Sequence, residues 1–430
     1  MDIQEKLKEL DKHKRIEQKS QQWLDIRKNL ITASEAGYFL GIRGSSSIIT
    51  YIKNKLNITS SNDNLRYLDS IKHGNVYEDV SRMIYEHRHG VRVAEYGLIT
   101  TPKTSFLGAS PDGIVARLTN PIRQQSQSQS PIDQSIRLGR LIEIKNPYAF
   151  DSSDKIKSEY LIQIYQQLYV LDLPSCDFIK TNIIGTNASS KTITAGHKPY
   201  INIDSFLADI PLSETPPHIA TSEIPRNNHT ALGLEKGIIM HYTHPTTREI
   251  ERIIYPLTIP YEKNAILEWI TNNQKALKNK YNLEPIGIAV EYWYVANYFE
   301  KTIEYDNIFE KYYLPRLDVM WRLVLCYREY QSRYTKDSIC ELLDGVLLEH
   351  WKKFISMGGK YNDITPTGHI DILQHMNMAL LLKPIISQSQ PQSQPQSQPQ
   401  SQPQPQQTEK IEKPKQKRTQ SRKVIIELDF

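Results

Sequence analysis

The chain has 430 residues, enough for two or three domains, and its net charge of +5 is uneven because residues 408–430 alone carry +3. The remaining chain is nearly neutral, which excludes a uniformly basic protein. The sequence has three irregularly spaced cysteines, a charged N-terminus unlike a signal peptide, and no apolar run long enough to span a membrane. These features predict an intracellular soluble protein, cytoplasmic or nuclear and not secreted, without contact to membranes.

The N-terminal part of the chain is predicted to be helical. Residues 3–29 are predicted to be helical, with sparse apolar positions and many charged residues. Thr32 and Glu35 stand at capping-box spacing and predict a second helix that begins at Thr32. Residues 74–90 repeat apolar side chains at helical intervals and predict a third.

A β region follows. The runs "VRVAEYGLITT" and "SFLGASPDGIVARL" meet at "PKTS" and predict a hairpin, and "RLIEIKN" predicts a third strand after a polar insert at about 118–138. Residues 154–174 then predict a helix that Pro174 closes, and "CDFIKTNII" a further strand. A second hairpin is predicted at 236–261, after an excursion at 185–233. This order predicts an α/β fold with a mixed central sheet flanked by helices.

The C-terminal part changes in character. Residues 283–382 are dense in aromatics at helix-compatible spacing, which predicts an aromatic-rich helical region. Trp293, Tyr294, Trp321 and Tyr327 either stack on nucleic-acid bases or, as is commoner, fill a core. Residues 383–407 consist almost entirely of Ser, Gln and Pro and predict a disordered linker. The basic tail, 408–430, either contacts phosphates, acts as a nuclear address or is simply solvated.

The strand "RLIEIKN" raises the question of chemistry. Side chains two residues apart share a face of a strand, so Glu143 and Lys145 point one way, and Ile142 and Ile144 the other. Asp112 ends the neighbouring strand. Two carboxylates and the backbone carbonyl of Ile144 form an all-oxygen set that suits Mg²⁺ or Mn²⁺, and Lys145 beside the metal would orient a water or neutralise developing charge. The alternative is a structural salt bridge on the sheet surface.

The pattern resembles the PD-(D/E)xK nucleases, and more narrowly the lambda-exonuclease-like, YqaJ-type viral recombinase family of the large-DNA-virus type. Besides "SPDG" and "EIK", the segments "WLDIRKNLITASEAG", "HGNVYE" and "YLIQIYQQLYV" match in the same order. The resemblance implies a restriction-endonuclease-like fold, with a nuclease domain at 21–275 behind an N-terminal helical extension at 1–20. It also implies a metal-dependent deoxyribonuclease that acts at duplex ends in viral recombination, repair or genome processing.

The resemblance also implies roles for individual residues. Asp112 and Glu143 correspond to the metal ligands, Lys145 to the water-orienting lysine, and Glu78 to a helix-borne acidic residue that supports the metal. The positions that surround the terminal 5′-phosphate or the scissile end are those of Arg27, Ser34, Ser110 and Gln163. Four of these residues have an ordinary alternative: Glu78 can pair with Arg82, Arg27 with Asp25 or Glu35, and Ser34 and Gln163 can be plain helix-surface residues.

Two other functions stay open at this point. The same fold can serve a structure-specific or RNA-cutting endonuclease, or a nucleic-acid-binding scaffold without catalysis, although a scaffold has no need of Asp112, Glu143 and Lys145 together. As partners the resemblance implies DNA and a single-strand annealing or replication protein, in a nucleus or a cytoplasmic viral factory. The added segments at 185–233 and 283–382 put a closed trimeric ring in doubt, so the oligomeric state is open.

Overall fold

The structure is a computed structural model that describes residues 3–12, 20–43, 45–58, 69–119, 137–149, 153–188, 192–193, 198–208, 235–244, 250–256, 259, 261–281 and 286–344. The predicted linker and tail, residues 345–382 and most of both predicted inserts lie outside these ranges. The helices are α1 Ile3–Lys12, α2 Gln21–Lys28, α3 Ala33–Phe39, α4 Ser45–Lys55, α5 Asp69–His89, α6 Ser158–Leu171, α7 Ile203–Leu207, α8 Lys263–Tyr281, a π-helical turn Phe309–Tyr313, α9 Leu314–Tyr330 and α10 Lys336–Leu342.

The strands form two sheets. They are β1 Ile31–Thr32, β2 Val91–Ala94, β3 Ile99–Thr101, β4 Thr104–Ala109, β5 Gly113–Leu118, β6 Leu141–Lys145, β7 Ser175–Gly185, β8 Lys236–Thr243, β9 Ile250–Ile254 and β10 Ile286–Glu304. The larger sheet has the order β2-β5-β6-β7-β10-β8-β9, and the smaller one β1-β4-β3. In the larger sheet β6 and β7 are parallel and the other pairs are antiparallel, which confirms the predicted mixed sheet.

Helices cover both faces of the larger sheet. Helix α6 connects the parallel pair β6 and β7, and its buried residues Ile164 and Leu168 join the main core together with the smaller sheet and α9. On the opposite face, α5 packs Tyr85 against Ile142 and Ile144 of β6. The catalytic strand proposed from the sequence therefore lies between α5 and α6, in the interior of the larger sheet.

The predicted β region differs from the structure in one respect. Each of its two long runs is split into two strands, and the pieces belong to different sheets: β3 and β4 form the predicted hairpin in the smaller sheet, while β2 and β5 pair in the larger one. The chain changes sheets at "SPDG", where Pro111 cannot donate a ladder hydrogen bond. Asp112 therefore lies at a junction between two sheets, between the end of β4 and the start of β5.

The C-terminal region contains helices, as predicted, but the stretch that includes Trp293 and Tyr294 is a strand. Residues 286–304 form β10, which pairs with β7 on one side and β8 on the other. A domain boundary near residue 275 thus falls between strands of one sheet. Trp293 and Tyr294 in β10, and Trp321 and Tyr327 in α9, are all at least 92 % buried, which agrees with a role in the core and not with base stacking.

Smaller predictions are also settled. Within the predicted helix at 3–29, the described residues form two helices, α1 and α2. The capping box at the start of α3 is present: the backbone N–H of Thr32 donates to the Glu35 carboxylate at 3.0 Å. Among the described residues, none of the helices combines the length and the apolar character that crossing a membrane requires.

Candidate active site

Strand β6 shows the alternation that its sequence predicts. Ile142 and Ile144 pack with Tyr85 and Val91 on the α5 face of the sheet, whereas Leu141 lies in the main core on the other face. Glu143 shares this second face and is fully buried, and the Lys145 side chain is 24 % exposed beside it. The strand thus presents a carboxylate and an ammonium group toward α6.

Asp112 reaches the same strand from the sheet junction. Its Oδ2 accepts a hydrogen bond from the backbone N–H of Ile144 at 2.7 Å. The ladder between β5 and β6 ends at the pair Gly113–Ile142, so the edge of β6 beyond it faces Asp112. Since the N–H and C=O of one strand residue point to the same side, the Ile144 carbonyl faces Asp112 as well.

Gly113 explains why the junction is so close to β6. A Cβ at this position would lie 2.2 Å from Cγ1 of Val93 and 3.3 Å from the carbonyl oxygen of Ala94. Only glycine lets β5 lie against β2 at this point, and the preceding residue, Asp112, is thereby held against Ile144.

The Glu143 carboxylate is surrounded by donors. Lys145 Nζ donates to Oε1, Gln163 Nε2 donates to Oε1 at 2.7 Å, and Gln167 Nε2 donates to Oε2 at 2.9 Å. Both glutamines lie one helical turn apart on α6. Gln163, which the resemblance assigns to the substrate, is therefore in contact with a candidate catalytic residue.

Charge is concentrated in this site. Burial, together with the carboxylates of Glu143 and Glu78, raises the pKa of Asp112 well above its usual value, although Lys145 opposes the shift. Burial alone would lower the pKa of Lys145, but the carboxylates of Glu143 and Asp112 outweigh it and raise that pKa above the usual value. The arrangement places negative charge close together, which a bound cation would relieve.

Glu78 lies on the α5 side of the site. It is half-buried and close enough for its charge to act on Asp112. Its expected alternative partner, Arg82, donates a hydrogen bond to Asp79 at 3.0 Å and also pairs with Glu95. The charge of Glu78 also helps to raise the pKa of Arg82, so Glu78 acts on both Asp112 and Arg82, which is compatible with either predicted role.

The donors present fit a hard divalent cation. Asp112, Glu143 and the Ile144 carbonyl offer only oxygen atoms, the ligands that Mg²⁺ and Mn²⁺ prefer. Among the described residues, no three His, Cys, Asp or Glu side chains are grouped so as to hold a metal ion. A metal here would depend on the carbonyl in addition to the two carboxylates, as Mg²⁺ sites with few protein ligands do.

A second cluster contains the residues assigned to the terminal phosphate. Arg27 on α2 stacks on Trp23 at 4.3 Å, and its Nη2 lies 3.5 Å from the Ser34 hydroxyl. Trp23 Nε1 in turn donates to the Ser110 hydroxyl at 3.4 Å. Ser110 precedes Asp112 by two residues, so this cluster adjoins the turn that carries Asp112.

Arg27 also has the acidic neighbour that the alternative interpretation names. Its Nη2 lies 3.8 Å from Glu35, and Lys55 Nζ donates both to Glu35 at 2.9 Å and to the Arg27 carbonyl at 2.6 Å. Burial would raise the pKa of Glu35, but Lys55 and Arg27 outweigh it and lower that pKa. Two cations share one carboxylate, which leaves a net positive charge at this cluster.

Sequence reasoning missed two residues of these clusters. Gln167 had a signal, because it follows Gln163 by four residues and shares its helix face. Lys55 had none, since only the packing of α4 beside α2 and α3 brings it to Arg27 and Glu35. Gln166, next to Gln167, points elsewhere: its amide donates to the carbonyls of Ile31 and Gly108 and so joins α6 to the smaller sheet.

Comparison with protein-family models gives a match to part of the chain. A family model described as the YqaJ-like viral recombinase domain matches residues 22–182. This range contains both clusters, from Trp23 to Gln167.

Two kinds of relative were found. The chain is similar to the uncharacterized protein R354 of Acanthamoeba polyphaga mimivirus, with 26% identity over 335 residues, 74% of this chain and 54% of that protein. The chain thus spans about half the length of the curated relative that it matches. Among solved structures, it is similar to LHK-Exo in complex with dAMP, with a TM-score of 0.38 and 16% identity over 73% of this chain and 97% of the other. A second structure, an alkaline exonuclease (LHK-Exo) from Laribacter hongkongensis, gives a TM-score of 0.28 and 24% identity. The match covers 38% of this chain and 74% of the other.

Proposed function

We propose that this chain, whose residues 22–182 match a model of the YqaJ-like viral recombinase domain, is a metal-dependent deoxyribonuclease that digests duplex DNA from its ends. The observation that carries the proposal is the convergence of Asp112, Glu143 and Lys145 at one place between α5 and α6. A structural salt bridge accounts for Glu143 and Lys145, but it does not account for a second, half-buried carboxylate, that of Asp112, directed at the same strand.

Each group has a role in this proposal. Asp112, Glu143 and the Ile144 carbonyl would hold Mg²⁺ or Mn²⁺, and Glu78 would add negative charge nearby. When bound, the cation supplies Lewis-acid stabilisation of the phosphodiester and lowers the pKa of water. Lys145 orients the attacking water or offsets the charge that develops on the phosphate. Gln163 and Gln167 hold the Glu143 carboxylate in one orientation.

The end specificity rests on the second cluster. A terminal phosphate carries more charge than an internal diester, and a guanidinium can bind it through two hydrogen bonds. Arg27 is held by Trp23 beside the Ser34 hydroxyl, and Ser110 connects this place to Asp112. The cluster is therefore suited to hold the end of a strand while the adjoining site cleaves it.

The proposed catalytic site is tested by Asp112→Asn and Glu143→Gln. Each should abolish hydrolysis of linear duplex in Mg²⁺, because each removes a charged ligand. Binding of DNA should persist, since fewer negative charges then repel the phosphates. Clear hydrolysis by either folded variant would contradict the assignment.

The proposed end reading is tested by Arg27→Ala. The wild-type protein should digest duplex with 5′-phosphates faster than the same duplex with 5′-hydroxyls, and the variant should lose most of this preference while it retains slow hydrolysis. Equal wild-type rates on both substrates would instead favour a general phosphate contact. Cleavage of a covalently closed circle would favour the endonuclease of the same fold.

A further inference from the structure

Helix α9, which lies outside the matched range 22–182, packs directly on the recombinase domain. Leu317, Val324 and Tyr327 are buried in the main core, and Trp321 stacks on Phe106 of β4 with ring centroids 6.4 Å apart. The helix is thus an integral part of the same packed body and is held in place by its apolar face.

The C-terminal end of α9 makes polar contacts of a different kind. Arg328 donates from Nη2 to the carbonyl of Lys28 at 2.5 Å and to that of Lys55 at 3.2 Å, and from Nη1 to Oδ1 of Asn29 at 3.0 Å. Gln331 Nε2 donates to the carbonyl of Leu56 at 2.7 Å. One arginine and one glutamine therefore hold the ends of two helices.

These contacts meet groups that need partners. Lys28 and Lys55 are the last residues of α2 and α4. The last carbonyls of a helix have no N–H donor within the helix and need one from outside. A cation at this end also interacts favourably with the helix dipole. The planar fork of arginine can reach both helix ends at once, which the single ammonium of a lysine does less well.

The two clamped helices carry the two cations of the terminal-phosphate cluster. Arg27 precedes Lys28 at the end of α2, and Lys55 ends α4. The Lys55 ammonium also donates to the Arg27 carbonyl and to Glu35. A shift of either helix end would therefore change the position of the Arg27 guanidinium relative to Ser34.

We propose that Arg328, assisted by Gln331, is a positioning residue that fixes α2 and α4 so that Arg27 can read a terminal phosphate. This inference rests on the proposed function, because it assumes that Arg27 recognises DNA ends. It assigns to the C-terminal helix a part in substrate specificity, although none of its residues touches the catalytic carboxylates through a described contact.

A purely structural role predicts a different result. Loss of a clamp that only stabilises the fold would lower the rates on all substrates by a common factor, through a smaller folded fraction. Loss of a positioning contact lowers the rate on 5′-phosphorylated ends selectively. The ratio of the two rates separates the roles, because the folded fraction cancels from it.

The experiment measures this ratio on full-length protein for the wild type, Arg328→Ala, Arg328→Lys and Gln331→Ala, with melting temperatures for each. Arg322→Ala is the matched control: Arg322 lies on the same helix, is 67% exposed and pairs only locally with Asp318 among its described contacts. In Arg328→Ala the ratio should fall on the order of tenfold, or to one if the wild-type preference is smaller, as misplacement by about 1 Å can cost up to roughly 10²-fold. Arg328→Lys should restore part of the ratio, and Arg322→Ala should keep all of it.

The outcomes separate this inference from the function it rests on. A wild-type ratio near one refutes the reading of ends by Arg27, and the inference with it. A clear wild-type preference that survives in folded Arg328→Ala refutes the inference alone. If Arg328→Ala does not fold, Arg328→Lys and Gln331→Ala decide in the same way: a reduced ratio supports the positioning role, and an unchanged ratio in both overturns it.

Discussion

Two neighbouring glutamines on α6 allow a sharp test of how Glu143 is held. Gln166 and Gln167 are both fully buried, and each donates from Nε2, but only Gln167 donates to the Glu143 carboxylate. In both, Oε1 has no hydrogen-bond partner among the described residues. Gln167→Met and Gln166→Met therefore remove similar groups from similar surroundings, and differ in the acceptor that loses its donor.

The expected magnitudes differ between stability and activity. A hydrogen bond to a charged group contributes about 1.5–3 kcal/mol and one to neutral carbonyls about 0.5–1.5 kcal/mol each, so the two variants should lose comparable amounts of unfolding free energy. In Gln167→Met, Glu143 keeps Lys145 and Gln163 but loses the only described donor to Oε2. Loss of a group that orients a metal-ligating carboxylate typically costs about 10–100-fold in metal affinity or activity.

Three measurements check this prediction: chemical denaturation, Mn²⁺ binding by calorimetry, and hydrolysis of end-labelled linear duplex at saturating metal. Gln167→Met should bind Mn²⁺ more weakly and hydrolyse more slowly, whereas Gln166→Met should change mainly in stability. If both variants lost activity equally, the effect would come from the packing of α6 and the reasoning about Glu143 would be refuted.

Three further predictions follow from other parts of the molecule. Lys145→Ala should lower turnover by roughly 10²–10³-fold with little effect on DNA affinity, because it acts on charge that develops in the transition state; steady-state kinetics that showed a change in affinity alone would reassign Lys145 to phosphate binding. A chain truncated after Lys383 should still cleave DNA, with binding that is weaker and less sensitive to salt, since fewer phosphates are contacted; a folded but inactive product would reveal a catalytic role for the tail. Burial would raise the pKa of Glu300, but His89 and Arg137 outweigh it and lower the pKa to about 2 from 4.5. The ionised Glu300 carboxylate therefore stabilises the folded state above about pH 4.5, and this stabilisation is lost as the pH falls toward 2. The melting temperature of Glu300→Gln should depend less on pH in that window than that of the wild type.

The arrangement of the first cluster could be predicted because it depends on local rules. The i, i+2 spacing of Glu143 and Lys145 determines that they share a face of β6, and the spacing of Gln163 and Gln167 determines a shared face of α6. The "SPDG" turn indicated that Asp112 ends a strand. The contact between Asp112 and Ile144 also requires that the chain pass from the smaller sheet to the larger one at Pro111. The sequence pattern did not predict this change of sheet.

Other features depend on contacts between distant segments. The aromatic residues of 286–304 fit either a helix or a buried strand by pattern, and pairing with β7 and β8 decided for the strand. Lys55 and Arg328 likewise have no local signal, because their partners lie on helices that meet only in the folded protein. Sequence reasoning therefore predicted that the candidate carboxylates lie together, and it missed the groups that hold the neighbouring cluster in place.

The central claim is that Asp112, Glu143 and Lys145 form a metal-dependent site that cleaves DNA from its ends. One measurement tests it most directly: purified protein is incubated with end-labelled linear duplex and with a covalently closed circle of the same sequence, in Mg²⁺ or in EDTA, beside Glu143→Gln. Only the linear duplex should be lost, only in Mg²⁺, and only with the wild-type protein. Cleavage in EDTA, cleavage by Glu143→Gln or equal cleavage of the circle would contradict it.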